Sequence, residues 1–175
     1  MHLNGTSNYI QLPNRWDPSG YSTSGYSIEL WVKFDSSAHS GTAQSIVNKV
    51  DANNGVFMFR WPGDVVVFGT KSGGSTLAAT TAIVPNGGWR HLVGTLSGNT
   101  VTLYADGVAT SQTAGGSVFP APSSHGYVVG TDGGTASFLP GSVDSLAIYN
   151  RVLSAPEITC HFKTGSPLPA AGCAY

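Results

Sequence analysis

The stretch Tyr26-Ser27-Ile28-Glu29-Leu30-Trp31-Val32-Lys33-Phe34 alternates: every even position is apolar, while Ser27, Glu29 and Lys33 face the other way. Successive side chains of an extended chain point to opposite faces, so a period of two predicts a strand with one face in a core. Similar apolar runs recur along the chain with turn signals between them. Residues 56–61 and 65–68 flank Pro62-Gly63-Asp64, and residues 90–96 and 100–105 flank Ser97-Gly98-Asn99. Asp106-Gly107 then turns the chain into residues 108–112, and Asp-Gly between extended runs is a strong hairpin signal. Asn8-Tyr9-Ile10-Gln11-Leu12, residues 127–130 and residues 142–149 read as further strands. Roughly ten or more short strands at hairpin spacing predict an all-β fold, a two-sheet antiparallel sandwich.

One helix is expected. Ser154-Ala155-Pro156-Glu157 offers a serine N-cap, a glutamate placed to close a capping box, and a proline in the first turn, where its missing N–H costs nothing. The helix should run to about Phe162 and stop by Gly165. At 175 residues the chain suits one domain. Eight basic residues against nine acidic ones, scattered rather than clustered, give no footprint for a polyphosphate, so nucleic acid is not an expected partner. No apolar run approaches the ~20 residues needed to span a bilayer, so no membrane insertion is expected. The first residues already read towards a strand and carry no signal-peptide pattern; any leader or upstream module is expected to lie outside this sequence.

Cys160 and Cys173 are the two cysteines, separated by a Gly/Pro-rich stretch. A disulfide between them would hold the tail and, in the loop-entropy account, contribute roughly 3 kcal/mol. It would suit an oxidising compartment, whereas the alternative is two free thiols, one of them under the helix.

Several pieces, in order, resemble the laminin-G-like jelly rolls of the concanavalin A-like lectin and glucanase superfamily. They are Leu3-Asn4-Gly5-Thr6-Ser7-Asn8-Tyr9-Ile10, Ser27-Ile28-Glu29-Leu30-Trp31-Val32-Lys33, Ser45-Ile46-Val47-Asn48-Lys49, Trp89-Arg90-His91-Leu92-Val93-Gly94-Thr95, Leu103-Tyr104-Ala105-Asp106-Gly107 and the run from Gly141 to Ser154. The resemblance implies a concanavalin A-like jelly roll over residues 1–162, followed by a tail at 163–175. It also implies a secreted or cell-surface protein, often one that binds carbohydrate. Related sandwiches host lectins, hydrolases and structural spacers, so the fold does not settle the task.

Glucan hydrolases of this superfamily carry paired carboxylates close together on one strand, as a retaining mechanism requires. The only glutamates here are Glu29 and Glu157, with no Glu-x-Asp or Glu-x-x-x-Glu pair, and the capping box accounts for Glu157. Asp51, Asp106 and Asp132 sit in turn sequences, where carboxylates commonly serve the backbone. No Gly-x-Ser-x-Gly elbow or metal-ligand histidine spacing appears. A non-catalytic reading follows.

Sugar rings stack on exposed aromatic faces while nearby polar groups take the hydroxyls. Arg60-Trp61-Pro62-Gly63-Asp64 places an aromatic, a guanidinium and a carboxylate around one turn, making Trp61, Arg60 and Asp64 the leading candidates. The alternative is that Trp61 continues a core face formed by Phe57 and Phe59. Trp16 and Tyr21, in the turn-rich segment at residues 14–21, form a second candidate edge. Trp31 falls on the polar side of its strand, either in a glycan groove or beneath a covering loop. The resemblance further implies structural Ca²⁺ near Asp144, with Asn4 as its neighbour; such an ion needs six to eight oxygens, which carbonyls and water can largely supply. The expected function is therefore a non-catalytic polysaccharide- or glycan-binding module. The alternatives are a structural or adhesive unit that meets other protein chains or domains, and, less favoured, a glycan-cleaving enzyme.

Overall fold

The computed structural model describes residues 1–14, 25–35, 41–82, 87–114, 119–120 and 125–165. Among them are twelve strands: β1 (His2–Asn4), β2 (Ile10–Gln11), β3 (Tyr26–Phe34), β4 (Gln44–Val50), β5 (Gly55–Trp61), β6 (Val65–Ser72), β7 (Ser75–Ala82), β8 (Trp89–Ser97), β9 (Thr100–Ala105), β10 (Val108–Thr113), β11 (Val128–Val129) and β12 (Pro140–Tyr149). One helix, α1 (Ala155–Thr164), follows. The strands pair antiparallel into two six-stranded sheets, ordered β1-β12-β3-β8-β9-β10 and β2-β11-β4-β5-β6-β7.

The expected jelly-roll sandwich is present, and its core follows from strand parity. Tyr26, Ile28, Leu30, Val32 and Phe34 of β3 meet Ile46, Val56, Met58, Val66 and Phe68 from the other sheet, all buried in one cluster. Opposite Phe68 the first sheet carries Gly94, where an added Cβ would fall 2.2 Å from the phenyl ring. Gly94 therefore sets how closely the sheets approach at their middle.

Two local departures have simple causes. The strand expected over residues 8–12 shortens to Ile10–Gln11 because Asn4 organises the loop before it. The Asn4 side-chain oxygen accepts from the backbone N–H groups of Thr6, Ser7 and Asn8, and an asparagine that holds its own loop competes with ladder pairing. β7 (Ser75–Ala82) has a Ser/Thr/Ala-rich sequence with little apolar alternation; it is ordered by its full register against β6, from Ser72↔Ser75 to Val65↔Ala82.

The outer face of β3 is covered over its first half, contrary to its polar sequence. Ser27 and Glu29 are buried because α1 and the segment leading into it lie across that face. Ser154 caps α1 by accepting from Glu157 N–H, while the Glu157 carboxylate accepts from Ser154 N–H, and Gly165 closes the helix in the left-handed region. The helix thus runs two residues beyond Phe162. An ion pair with Arg151, together with the serine hydrogen bonds, outweighs burial and holds the Glu157 carboxyl at about 2. Ile158 joins Val93 and Leu153 in a small second core.

At the centre of this contact is Glu29. Its carboxylate meets His91 Nε2 at 2.6 Å and His161 Nδ1 at 3.0 Å, and it accepts from the Tyr149 hydroxyl at 2.7 Å. Burial pushes the Glu29 carboxyl up, but hydrogen bonds from His91 and Tyr149 and the charges of His91 and His161 prevail, so it lies below the ordinary carboxylate range. A carboxyl with a depressed folded-state pKa contributes stability above its unfolded value of about 4.3, and that stability is lost as pH falls through the folded value.

Two outcomes are expected. Gly94→Ala should lower unfolding free energy by about 1–3 kcal/mol in urea titration, because the new methyl overpacks against Phe68. The melting temperature should fall on acidification below about pH 4, and Glu29→Gln should flatten that slope while lowering stability at neutral pH.

Candidate functional site

The outer face of the second sheet carries an open groove of about 530 Å³, lined among others by Phe57, Phe59, Trp61, Asn48, His125 and Asp132. Its aromatic floor comes from alternate residues of β5. Val56, Met58 and Arg60 point into the sandwich, so Phe57, Phe59 and Trp61 point outward in a row. Phe57 and Phe59 lie with ring centroids 5.8 Å apart, and Trp61 is 46% exposed. Phe57 pairs in register with Gly69 of β6, where an added Cβ would sit 2.5 Å from the phenyl tip. The missing side chain lets that ring lie low across the sheet.

The polar part of the groove is built by β4 and the loops beside it. Asn48 is buried and donates to Asp132 Oδ1 at 2.7 Å, while its own carbonyl oxygen is buried without a hydrogen-bond partner. A buried acceptor without a partner costs free energy unless a ligand or water supplies a donor. Lys49, buried on the opposite side of β4, donates to Asn14 Oδ1 and to the His125 carbonyl, and its ammonium lies 5.7 Å from the centre of the Tyr127 ring. It fixes the loop that brings His125 to the groove. A smaller hollow of about 140 Å³ continues past Asn48 and His125 to Tyr9, so the depression crosses β6, β5, β4, β11 and β2. At ~4.8 Å per strand spacing this spans about 19 Å.

Two carboxylates line the groove, and each serves its own surroundings. Asp51 Oδ1 accepts from Asn53 and Asn54 N–H, and Asp132 Oδ1 accepts from Asn48. Opposite, Lys71 donates to the Ala52 carbonyl at 2.6 Å. The groove thus combines flat apolar rings with hydrogen-bonding groups of both kinds.

The sequence candidates fare unequally. Trp61 is in the groove. Arg60 is not: it is 1% exposed and faces the core, with its guanidinium 4.9 Å from the Phe34 ring centre and hydrogen-bonded to Asp64 at 2.6 Å and to Gln44 at 3.2 Å. Asp64 accordingly anchors that guanidinium across the β5–β6 turn. Residues adjacent in sequence on a strand face opposite ways, which separates Trp61 from its expected companions. Trp16, Tyr21 and Cys173 lie outside the described residues, and Cys160 sits half-buried on α1.

Asn4 and Asp144 do not form one ion site. Asn4 pairs in register with Pro140, four residues along β12 from Asp144, a separation of about 13 Å, and the Asn4 oxygen already accepts three backbone N–H groups. Calcium ligands must all reach within about 2.3–2.6 Å of one ion. Among the described residues no group of three His, Cys, Asp or Glu side chains gathers as a metal site.

Phe57, Phe59, Asn48 and Asp132 were not among the sequence candidates. β5 is apolar on both faces, so alternation there cannot say which side is outward, whereas Gly69 opposite Phe57 is the local mark of a ring lying on the sheet.

A family model described as the concanavalin A-like lectin/glucanases superfamily, a laminin-G-type model, matches residues 4–159. A search of curated proteins finds no match. Among solved structures, domain 4 of AbnA, a GH43 extracellular arabinanase from Geobacillus stearothermophilus, in complex with arabinotriose, is 25% identical with a TM-score of 0.69, over 91% of this chain and 74% of that one. Mouse laminin alpha1 domains LG4-5 match at 17% identity and a TM-score of 0.64, over 88% and 44% of the two chains. The receptor binding domain of botulinum neurotoxin D matches at 15% and 0.72, over 93% and 43%. The chain spans about two fifths of the length of the botulinum neurotoxin receptor binding domains it resembles.

Arg60→Ala is expected to cost about 3 kcal/mol in denaturant unfolding, because it removes a buried side chain packed on Phe34 together with its hydrogen bonds to buried Gln44 and part-exposed Asp64. Trp61→Ala, at an exposed position, should shift the unfolding midpoint far less.

Proposed function

The chain belongs to the concanavalin A-like lectin/glucanases superfamily, and from that membership we propose that it is a non-catalytic module that binds a neutral polysaccharide along the groove of its second sheet. The observation that carries this reading is the outward row Phe57, Phe59 and Trp61 beside the buried, unpartnered Asn48 oxygen. The C–H faces of sugar rings would cover the aromatic floor, and a ring hydroxyl would donate to Asn48 while another meets Asp132. A depression about 19 Å across suits several linked rings better than one. The solved neighbour at 25% identity holds an arabinose oligomer, which supports carbohydrate as the ligand class and makes arabinotriose the first probe.

A secreted or cell-surface setting belongs to the same proposal, as does a Cys160–Cys173 disulfide. Intact mass of the unreduced protein should be about 2 Da below that of the reduced protein; equal masses would remove the disulfide.

The binding test is affinity electrophoresis and calorimetry against arabinan, arabinotriose and a panel of neutral plant and bacterial polysaccharides. Trp61→Ala should weaken binding roughly tenfold, the worth of about 1.4 kcal/mol of ring burial, and Asn48→Ala should weaken it comparably without changing the reducing-sugar content of the mixture. Absence of retention across the panel would sink the proposal, and release of new reducing ends would sink its non-catalytic part.

A further inference from the structure

A second hollow, of about 240 Å³, lies on the outer face of the first sheet where α1 ends, lined by Trp31, Trp89, Asp144, Ser145 and Gly165. Strand register assembles it. Trp31 of β3 stands opposite Asp144 of β12 on one side and His91 of β8 on the other, and Trp89 lies two residues along β8 from His91. The chain kinks at this point, with a register shift between Asp144 and Ala147 and Ser145 held at φ +53°. A bulge with a non-glycine residue in the left-handed region is costly, and such features gather where a side chain must be re-aimed.

The chemistry of the lining is specific. Trp31 is held in place, its ring stacked on Phe162 at 6.1 Å and against His91 at 4.9 Å, yet its indole N–H is buried with no hydrogen-bond partner. Trp89 is 44% exposed. The Asp144 carboxylate is exposed, with one oxygen accepting from Ser145 N–H. Lys33 stands beside Trp89 as its cross-strand neighbour.

An anion would meet the Asp144 carboxylate, and a cation would leave the Trp31 donor unanswered. A wholly apolar ligand would leave both polar groups unpaired. A ring with hydroxyls around its edge and C–H groups on its face answers all of them. Its volume lies below the ~300–1,000 Å³ of ordinary ligand clefts, which suits a single ring rather than a chain.

We propose that this hollow is a second saccharide site, taking one neutral sugar ring against Trp89 with its hydroxyls on Trp31 Nε1 and Asp144, so that the module is bivalent. The proposal rests on the reading of the protein as a carbohydrate binder, but its residues are on the sheet opposite the groove. Two sites on opposite faces would let one module join two polysaccharide chains and raise its hold on a dense matrix through effective concentration.

Calorimetry and NMR titration with arabinotriose, and with xylo-, manno-, gluco- and galacto-oligosaccharides, separate the two sites. The wild type should bind a probe at two sites per chain. Trp89→Ala and Asp144→Asn should each weaken one site at least tenfold and leave the groove signals unmoved, whereas Trp61→Ala should do the reverse. Trp89→Phe should recover part of the affinity, which separates loss of stacking from misfolding. One site per chain, abolished by Trp61→Ala and untouched by Trp89→Ala, overturns the second site and leaves the groove intact. Binding lost in Trp89→Ala and unchanged in Trp61→Ala overturns the groove and supports this site. No binding of any probe by the wild type overturns both.

Discussion

A carboxylate buried in a sandwich must be compensated on several sides, and the way Glu29 is compensated decides which surfaces of this protein are closed. Its oxygens draw His91 from β8, Tyr149 from β12 and His161 from α1 onto β3. Removing water from a charge costs several kcal/mol, so the ring of partners is a requirement of the buried site. The helix that brings His161 also covers the outer side of β3 with Phe162 and that of β8 with Ile158. One sheet is thereby roofed over much of its centre. The other keeps its outer face open, and the aromatic groove is there.

The groove owes its shape to residues that do not line its aromatic row. Arg60 and Asp64 brace the end of β5 from beneath, so that Trp61 extends from a fixed strand terminus. Lys49 does the same for the loop at His125. Both cations are buried at inward-facing edges of the sandwich, paired with oxygens, and both position groups on the opposite surface. Side chains held by such supports lose little entropy when a ligand arrives, which favours rigid recognition over adaptive recognition.

Much of the fold was legible because the strands bounded by tight turns carry their own punctuation. β3, the β5–β6 pair and the β8–β9–β10 meander follow from alternation and from Pro62-Gly63-Asp64, Ser97-Gly98-Asn99 and Asp106-Gly107. The capping box marked α1 for an equally local reason. β7 was not legible, since its small polar residues acquire strand geometry from β6 rather than from a pattern of their own. Of the leading candidates, Trp61 alone lies in the groove. Arg60 and Asp64 were drawn into it by adjacency in sequence, and Phe57 and Phe59 were left out because β5 is apolar on both sides. Parity there depends on register with another strand, and register is a tertiary property. Glu29 and Trp31 have the same lesson in reverse: the polar side of β3, where a groove or a covering loop was expected, was claimed by a helix more than a hundred residues later.

Gly69 gives the groove an unusual kind of adjustability. Its Cα touches no proposed ligand, yet the empty space above it determines how deep the Phe57 ring can sink. A methyl introduced there would meet the Phe57 ring tip at 2.5 Å and the Leu77 carbonyl oxygen and Ala78 of β7 at 2.7 and 2.9 Å, so ring and strand pairing would both have to give, and the height of the platform would change while every contact residue stayed the same. Divergence of ligand preference among sandwiches built this way can therefore arise from substitutions under the floor, at positions that a comparison of binding residues would pass over.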